Sequence, residues 1–293
     1  MYDNLYYNIC CHFFIDFLKM IRYSKLYFKM TTIPFEEYSK DDLSHKSINN
    51  NYDKEKQDII ELFYNNVKGV EISYCEQNNK HCGKEGYWLE KKMGIRHNSS
   101  NEPDINGYEM KTSTNVITFI DKSPDNFYIN NIKINKKDKI LKTLFWKKYS
   151  SIKKTDIPTI GGWKLGFNND GQKLVIDDSN NVCIKYNYNH DMRKYKDTLD
   201  LDKNEHIIMQ WDALSLKKSI DNKFNIKGFF TCVKKNECFE KICFGKKITF
   251  EIWIEELKKG IIYHDGYSKL NGRGRQVFRA NKSYWNSLII EVY

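Results

Sequence analysis

The stretch GYWLEKKMGIRHNSSNEPDINGYEMKTST, residues 86–114, decides the fold. Near its centre stands Asn106-Gly107, and this dipeptide strongly indicates a two-residue hairpin turn because both central residues of a type I′ turn need positive φ. The turn therefore predicts a strand that leaves it over residues 108–114.

The predicted strand places charged side chains at one point. Side chains alternate along a strand, so Glu109 and Lys111 point to one side and Met110 points to the other. Asp104 precedes the turn and returns across it towards them. Two carboxylates and one ammonium group are therefore expected to converge at one strand end.

This trio of side chains has a clear chemical use. Hard cations such as Mg²⁺ take oxygen ligands and usually keep one or two protein carboxylates beside waters and phosphate oxygens. A metal held by Asp104 and Glu109 would polarise a phosphodiester and make a bound water more acidic. Lys111 would then lie beside the developing negative charge. The alternative is a surface hairpin with an ordinary Glu/Lys pair, which contributes little to stability, and short patterns of this kind recur by chance.

The residues before the turn predict a short helix over residues 86–95. Leu89 and Met93 are spaced four apart on one apolar face, and Gly94 is a suitable C-terminal stop. Glu90 lies off that face and is available to the same site.

The whole pattern, G-Y-x-L-E-x-x-x-G-I-x-x-N-S-x-x-E-P-D-x-x-G-x-E-x-K-T, resembles the active-site segment of type II restriction endonucleases of the MvaI/BcnI kind. These enzymes are related to the MutH mismatch-repair nickase within the PD-(D/E)XK nuclease superfamily. Their catalytic centre corresponds here to Glu90, Asp104, Glu109 and Lys111. One departure is Trp88, where relatives tend to carry a small hydroxylated residue, and it is expected to alter local packing only.

The resemblance implies a fold and a mechanism. The fold would be α/β, with a restriction-endonuclease-like mixed sheet flanked by helices and a β-rich DNA-recognition lobe. Mg²⁺ would bind Asp104 and Glu109, and Lys111 would stabilise the attacking hydroxide or the scissile phosphate. Glu90 would complete the metal or base network.

The resemblance also implies a substrate and partners. The expected substrate is double-stranded DNA, cut at a short, G·C-rich site to leave 5′-phosphate ends. One active site per chain suits a monomer that cuts the strands in turn, and a DNA methyltransferase acting on the same site is an expected companion. Two alternatives stay open: a MutH-like nickase that needs an activating partner, and a non-catalytic DNA-binding protein.

A second resemblance lies near the C-terminus, in residues 261–279. There, a strand containing His and Asp, a glycine-rich basic loop and a strand containing Phe-Arg resemble the family's recognition segment. Arginine suits bidentate contact with guanine in the major groove. The expected DNA-binding residues are His264, Asp265, Lys269, Arg273, Arg275 and Arg279. The alternative is a solvent-exposed basic loop, and Phe278 is expected in the core.

Composition and charge agree with a globular protein that binds an anion. Apolar residues make up 40% and aromatic residues 15% of the 293-residue chain, which argues against global disorder. The net charge of +10 favours nucleic acid as the partner. The eight cysteines form no C-x-x-C pair, so we expect reduced thiols and a cytoplasmic location.

The sequence suggests three parts. Residues 1–29 are apolar but interrupted by charges, with no run long enough to span a bilayer, and are expected to be an extension outside the core. The alternative is an amphipathic helix docked on the core. Residues 30–157 would form the catalytic region, with a helix near residues 53–67 and a strand at 116–120 that continues the core sheet. Residues 158–293 would form the β-rich recognition region that completes the cleft.

The central part of the chain carries a weaker signal. Residues 216–233 resemble a K-x-x-x-K region of the family, where basic residues lie close to the cleaved strand. The matching positions are Lys223 and Lys227.

Overall fold

Three β-sheets with helices packed against them form the fold in a computed structural model, which describes residues 54–72, 83–96, 101–135, 137–152, 158–269 and 274–293. Residues 1–29 and Arg273 lie outside these ranges, so the expectations for them stay predictions. Residues 52–293 belong to one compact unit.

The helices alternate irregularly with the strands along the chain. The helices are α1 Lys54–Asn66, α2 Lys84–Lys92, α3 Lys139–Tyr149, α4 Ala213–Phe224, α5 Phe250–Lys258 and α6 Lys282–Ser287, with a 3₁₀ turn at Lys196–Thr198. The strands are β1 Glu109–Thr112, β2 Val116–Asp121, β3 Asn126–Ile129, β4 Ile132–Ile134, β5 Ser151–Ile152, β6 Pro158–Gly161, β7 Asp170–Ile176, β8 Val182–Asp191, β9 His206–Trp211, β10 Phe229–Lys235, β11 Cys238–Gly245, β12 Ile262–Lys269, β13 Arg275–Asn281 and β14 Ile289–Val292. Among the described residues, no helix is long and apolar enough to span a membrane.

Strand order shows how distant parts of the chain are combined. The first sheet runs β1-β10-β11-β14, the second β2-β13-β12-β6-β5 and the third β4-β3-β9-β8-β7. Strand β1 is parallel to β10, whereas the other described strand pairs are antiparallel. The mixed α/β fold expected from the sequence is confirmed. Each sheet takes strands from both sides of residue 157, so that boundary does not separate the sheets.

Strand β10 is the centre of the sheet that carries the predicted site. Its residues 229–232 are all buried, as expected for a strand covered on both faces. Glu109 of β1 pairs with Phe229 and Lys111 pairs with Thr231. The register therefore fixes the position of the charged residues of β1 along a rigid, buried strand.

One expectation about the sheet was wrong. Strand β2 follows β1 closely in the chain, but it pairs with β13 in the second sheet and does not continue the sheet of β1. Strand β10, which lies more than 100 residues further along the chain, pairs with β1 instead. Three irregular residues, 113–115, separate β1 from β2, which allows the chain to change sheets.

Helices α1 and α2 cover the first sheet with the apolar faces expected from their spacing. In α1, Ile59 and Phe63 are fully buried. In α2, Leu89 is fully buried, and Met93 directly after the helix is too. Trp88 stacks on the ring of Phe239 with centroids 6.0 Å apart. The tryptophan therefore contributes to packing, as its departure from the family pattern suggested.

Helix α2 ends as the sequence predicted. Gly94 has φ of +72°, which favours glycine. Its N–H donates to the carbonyl of Lys91 at 3.2 Å, and the N–H of Ile95 donates to the carbonyl of Glu90 at 2.9 Å. These two bonds form a Schellman motif, which satisfies carbonyls at the helix end.

Phe278 provides a test of the core. Its side chain is fully buried, and its ring packs against Trp211, Trp253 and His264 with centroids 5.7, 5.2 and 5.2 Å away. Phe278→Ala should lower the free energy of unfolding by about 3–5 kcal/mol through cavity formation. Urea unfolding measures this change, and binding to matched and mismatched duplexes should show unchanged discrimination.

A matched control for this substitution is Ile140→Ala on α3, where the side chain is 81% exposed. Its effect should stay within about 0.5 kcal/mol. A similar small loss for Phe278→Ala would contradict the core role.

Candidate active site

The turn before β1 has the predicted geometry. Asn106 and Gly107 have φ of +49° and +82°, and Ile105 and Tyr108 exchange backbone hydrogen bonds of 3.1 and 2.8 Å across them. Positive φ at both central residues is the mark of a type I′ turn. The short turn reverses the chain so that residue 104 lies beside the start of β1.

The turn brings the two acidic residues to one place. Asp104 Oδ2 accepts a hydrogen bond of 2.9 Å from the N–H of Met110. On the same strand, Lys111 Nζ lies 2.8 Å from Glu109 Oε1, so these two side chains share a side as their alternation predicted. The structure therefore brings together Asp104, Glu109 and Lys111.

A second lysine joins this group from a distant helix. Lys223 lies near the end of α4, and its Nζ is 2.9 Å from the same oxygen, Glu109 Oε1. The buried neighbours Ile220 and Phe224 anchor α4 in the core and leave Lys223 half-buried at its edge. The predicted site did not include Lys223. The weak resemblance of its region to the K-x-x-x-K pattern was the one signal that indicated it.

Lys227, the other lysine of that pattern, lies elsewhere. Its Nζ forms an ion pair with Glu55 at the start of α1, and its side chain packs where a Cβ on Gly107 would meet it. It supports the turn from outside.

Burial and charge act in opposite directions on Glu109. The side chain is only 3% exposed, and burial alone would raise the pKa of its carboxyl group. The charges and hydrogen bonds of Lys111 and Lys223 outweigh burial, so the pKa is lowered and Glu109 is ionised at neutral pH.

Asp104 behaves differently from Glu109. Burial raises the pKa of its carboxyl group, and the nearby charge of Glu109 raises it further. The hydrogen bond from Met110 and the two lysines offset this only in part. Two carboxylates that repel each other in a shielded place are stabilised by any cation that binds between them.

The donor set fits a hard divalent cation. Glu109 Oε2 is buried and has no hydrogen-bond partner, although its other oxygen has two lysine partners. Among the described residues, no group of three or more His, Cys, Asp or Glu side chains is arranged so that it could hold a metal ion by itself. A pair of carboxylates suits Mg²⁺, which usually completes its coordination with waters and phosphate oxygens.

Glu90 lies on α2, which packs closely against β1. A Cβ on Gly86 of α2 would stand 3.0 Å from Thr112 Oγ1 at the end of β1. The Glu90 side chain is half-buried on this helix. Its role beside Asp104 and Glu109 stays a prediction.

The predicted recognition segment forms the antiparallel pair β12–β13. His264 is only 5% exposed, and its Nε2 lies 2.9 Å from Gln276 Oε1. Burial lowers the pKa of its imidazole to about 4, so the ring is neutral at pH 7. This position inside the core does not support direct contact with DNA. Strand alternation from the buried Ile262 was the signal that indicated an inward side chain.

Two of the other predicted DNA-binding residues of this pair, Asp265 and Arg275, are exposed, and Arg279 is half-buried. Asp265 accepts a hydrogen bond of 2.9 Å from Arg279, and its side chain is 54% exposed. Arg275 is 59% exposed, with its Nε 3.5 Å from Asp121 Oδ2. Lys269 ends β12 and pairs through its backbone with Thr159 of β6.

The edge strand β1 of a mixed sheet carries Glu109 and Lys111, and the tight turn before β1 places Asp104 beside them, as expected for a fold of the PD-(D/E)XK type. The profile of the LlaMI restriction endonuclease family matches residues 67–293. The type II restriction enzyme ScrFI of Lactococcus lactis subsp. cremoris is 33% identical over 270 residues, which cover 81% of this chain and 98% of that enzyme. The chain belongs to the LlaMI restriction endonuclease family and is a type II, site-specific DNA endonuclease.

A solved structure agrees with this fold. The restriction endonuclease MvaI in complex with its cognate DNA substrate is similar with a TM-score of 0.52 and 17% sequence identity. The similarity covers 84% of this chain and 99% of that one.

The pairing of Glu109 with Lys223 gives a prediction for stability. Lys223→Ala should lower the free energy of unfolding at pH 7 by about 1–3 kcal/mol, because a buried charge loses a partner. A lowered pKa contributes stability above the unfolded pKa and loses it as pH falls through the folded pKa. The difference between the variant and the wild type should therefore shrink as Glu109 becomes protonated. Urea unfolding across pH 3–7 measures it.

The control is a double-mutant cycle with Glu109→Gln. In that background the carboxylate charge is absent, so Lys223→Ala should change stability much less at pH 7. Equal losses in both backgrounds would show that Lys223 stabilises the fold by contacts other than Glu109.

Proposed function

We propose that this endonuclease hydrolyses phosphodiester bonds of double-stranded DNA, cutting the two strands in turn, at the site formed by Asp104, Glu109 and Lys111, with Mg²⁺ as cofactor. The observation that carries the proposal is the buried, unpartnered Oε2 of Glu109 beside Asp104. An ionised oxygen without a partner is costly in a folded protein unless a cation or a substrate completes it.

Asp104 and Glu109 would hold the metal ion. A Mg²⁺ ion held by these two carboxylates would supply Lewis-acid polarisation of the phosphodiester and a more acidic bound water. The hydrogen bond from the N–H of Met110 fixes the orientation of the Asp104 carboxylate. The lysines relieve the repulsion between the two acids only in part, and the repulsion that remains favours a cation between them.

The two lysines would act on the negative charge that develops during hydrolysis. Lys111 is held by Glu109 and by the ring of Phe224, whose centroid lies 5.2 Å from Nζ. Lys223 reaches the same carboxylate of Glu109 from helix α4. Ammonium groups fixed before the substrate arrives stabilise the transition state without reorganisation. Glu90 would complete the metal or base network.

The partner would be double-stranded DNA. The solved relative MvaI binds a cognate DNA substrate, and the net charge of +10 favours a polyanion here as well. We extend this to a short G·C-rich site, a monomeric enzyme and a companion methyltransferase acting on the same site. Residues 30–157 would supply the catalytic carboxylates, and residues 158–293 would supply Lys223 and the recognition strands β12 and β13.

Lys111→Ala and Asp104→Ala test the catalytic assignment. Each should slow cleavage with Mg²⁺ at least about a hundredfold, because charge stabilisation or metal binding is lost. Binding of the cognate duplex in Ca²⁺, which takes the same oxygen ligands, should stay close to wild type for Lys111→Ala. Single-turnover cleavage and titration of a labelled duplex measure both.

Lys227→Ala is the matched control, because it removes a lysine near the same turn whose ammonium group pairs with Glu55 of α1. It should cleave near the wild-type rate. Wild-type rates for Lys111→Ala would contradict the assignment. Linear product from a supercoiled plasmid would exclude a nickase, and sequencing of the ends would give the site and the 5′-phosphates.

Arg275 and Arg279 on β13 are expected either to read bases or to contact phosphates. The two roles predict different effects of an alanine substitution on DNA binding. Loss of a bidentate guanine contact should cost about 1–3 kcal/mol and relax preference at one base pair. Loss of a phosphate contact should weaken all sequences equally and reduce the salt dependence by about one unit. Alanine variants titrated with cognate and single-mismatch duplexes separate these outcomes. If both alanine variants discriminated between cognate and mismatched duplexes as well as the wild type does, other residues of the chain would have to read the sequence.

A further inference from the structure

A cavity of about 510 Å³ opens beside α4, and of its charged lining residues only Lys223 has a role in the site described above. Its polar lining includes Asn101, Asp121, Lys122, Lys218, Asn222 and Lys223. The lining therefore contains three lysines and one acid.

One end of this cavity is the active site. Lys223 lines the cavity and also contacts Glu109 Oε1 at 2.9 Å. Asn101 donates a hydrogen bond of 3.3 Å to the carbonyl of Ser219 on α4, which joins the loop before Asp104 to the cavity wall. Lys223 therefore belongs both to the carboxylate site and to the lining of the cavity.

The other end of the cavity is fixed to the recognition strands. Asp121, at the end of β2, pairs with Val277 of β13. Its Oδ1 accepts a hydrogen bond of 3.0 Å from the N–H of Gln276, and its Oδ2 lies 3.5 Å from Arg275 Nε. The one acid of the lining is therefore engaged by β13, and the cavity joins the catalytic carboxylates to the strand with the predicted base readers.

The remaining charge of the cavity is positive. Within the described ranges, neither Lys122 nor Lys218 forms an ion pair with a carboxylate. The backbone of Lys122 is held on both sides, since its N–H donates to Gln276 and its carbonyl accepts from Trp211 Nε1. By contrast, Lys217 pairs with Asp221 and Glu251. The adjacent residues Lys217 and Lys218 of α4 therefore lie on different surfaces, and only Lys218 lines the cavity.

We propose that this cavity binds the sugar–phosphate backbone of the cleaved strand between the scissile phosphate and the bases that β13 reads. Lys122 and Lys218 contact a phosphate there, and Asn222 supplies a further polar contact. Such contacts are independent of sequence and set the register of the duplex on the protein. The inference rests on the proposed function, because it takes the scissile phosphate to lie at Asp104 and Glu109.

Salt dependence of DNA binding is the first measurement. Lys122→Ala and Lys218→Ala should each make the slope of log affinity against log salt shallower by about one unit. Cognate and single-mismatch duplexes should lose affinity equally, because a phosphate contact does not read sequence. Binding is measured in Ca²⁺, so cleavage does not interfere.

Lys217→Ala is the matched control. It removes the same charge from the same helix, one residue before Lys218, on a surface that does not line the cavity. It should leave the slope unchanged. An equal change for Lys217→Ala and Lys218→Ala would show a general effect of net charge and would overturn the proposal.

The second measurement locates the phosphate. The probe is a duplex in which one strand already carries a nick at its cleavage position, so that only the other strand remains to be cut. Single methylphosphonates placed along each strand remove one phosphate charge at a time. At the contacted phosphate, Lys218→Ala should cause no additional loss of affinity, whereas elsewhere the two losses should add.

The outcomes separate this inference from the proposed function. A coupled phosphate on the intact strand, next to the remaining scissile bond, supports the cavity as the backbone site. A coupled phosphate on the nicked strand, or additive losses at every position, overturns it. Failure of the proposed function would appear independently, as wild-type cleavage by Lys111→Ala or Asp104→Ala.

Discussion

The double pairing of Glu109 Oε1 is the interaction on which the rest of the site depends. A carboxylate with a 3% exposed side chain needs compensating charge, and the structure supplies it from two elements far apart in sequence. Lys111 comes from the same strand, and Lys223 comes from α4, 114 residues away. The pairing therefore requires both the register of β1 on β10 and the seating of α4 in the core. Any loosening of either element would expose or unpair the same buried charge.

Local rules were enough to predict the elements around the acids. Asn106-Gly107 needs positive φ at both positions, and Gly94 can occupy the left-handed conformation at a helix end, so sequence alone indicated the turn and the end of α2. The convergence of Asp104 with Glu109 followed from the same turn. These features depend on residues within about 20 positions of one another, and the backbone conformations of the turn and helix end leave few alternatives.

The parts that sequence did not predict depend on pairing between distant segments. Nothing in residues 116–121 shows that β2 joins the sheet of β13, because the sequence of a strand does not determine which strand it pairs with. Only a weak resemblance to a K-x-x-x-K region distinguished Lys223 from the other lysines, and its contact with Glu109 became evident only with α4 in place beside β1. His264 looked like a surface residue by type, yet strand alternation turns it towards Trp163 and Phe278. Burial of polar residues in such strands follows from which face of the sheet is covered, and that is a tertiary property.

The dependence of β1 on β10 has a consequence for synthesis of the enzyme in a cell. The ribosome makes the acids and Lys111 early, but Lys223 and the neighbouring strand appear only after residues 213–235 have been made. A partly made chain therefore has a carboxylate pair without its second lysine and without the sheet that aligns it. The proposed cutting centre is thus absent from any nascent chain that ends before residue 223, and it is assembled only after residues 213–235 have been made.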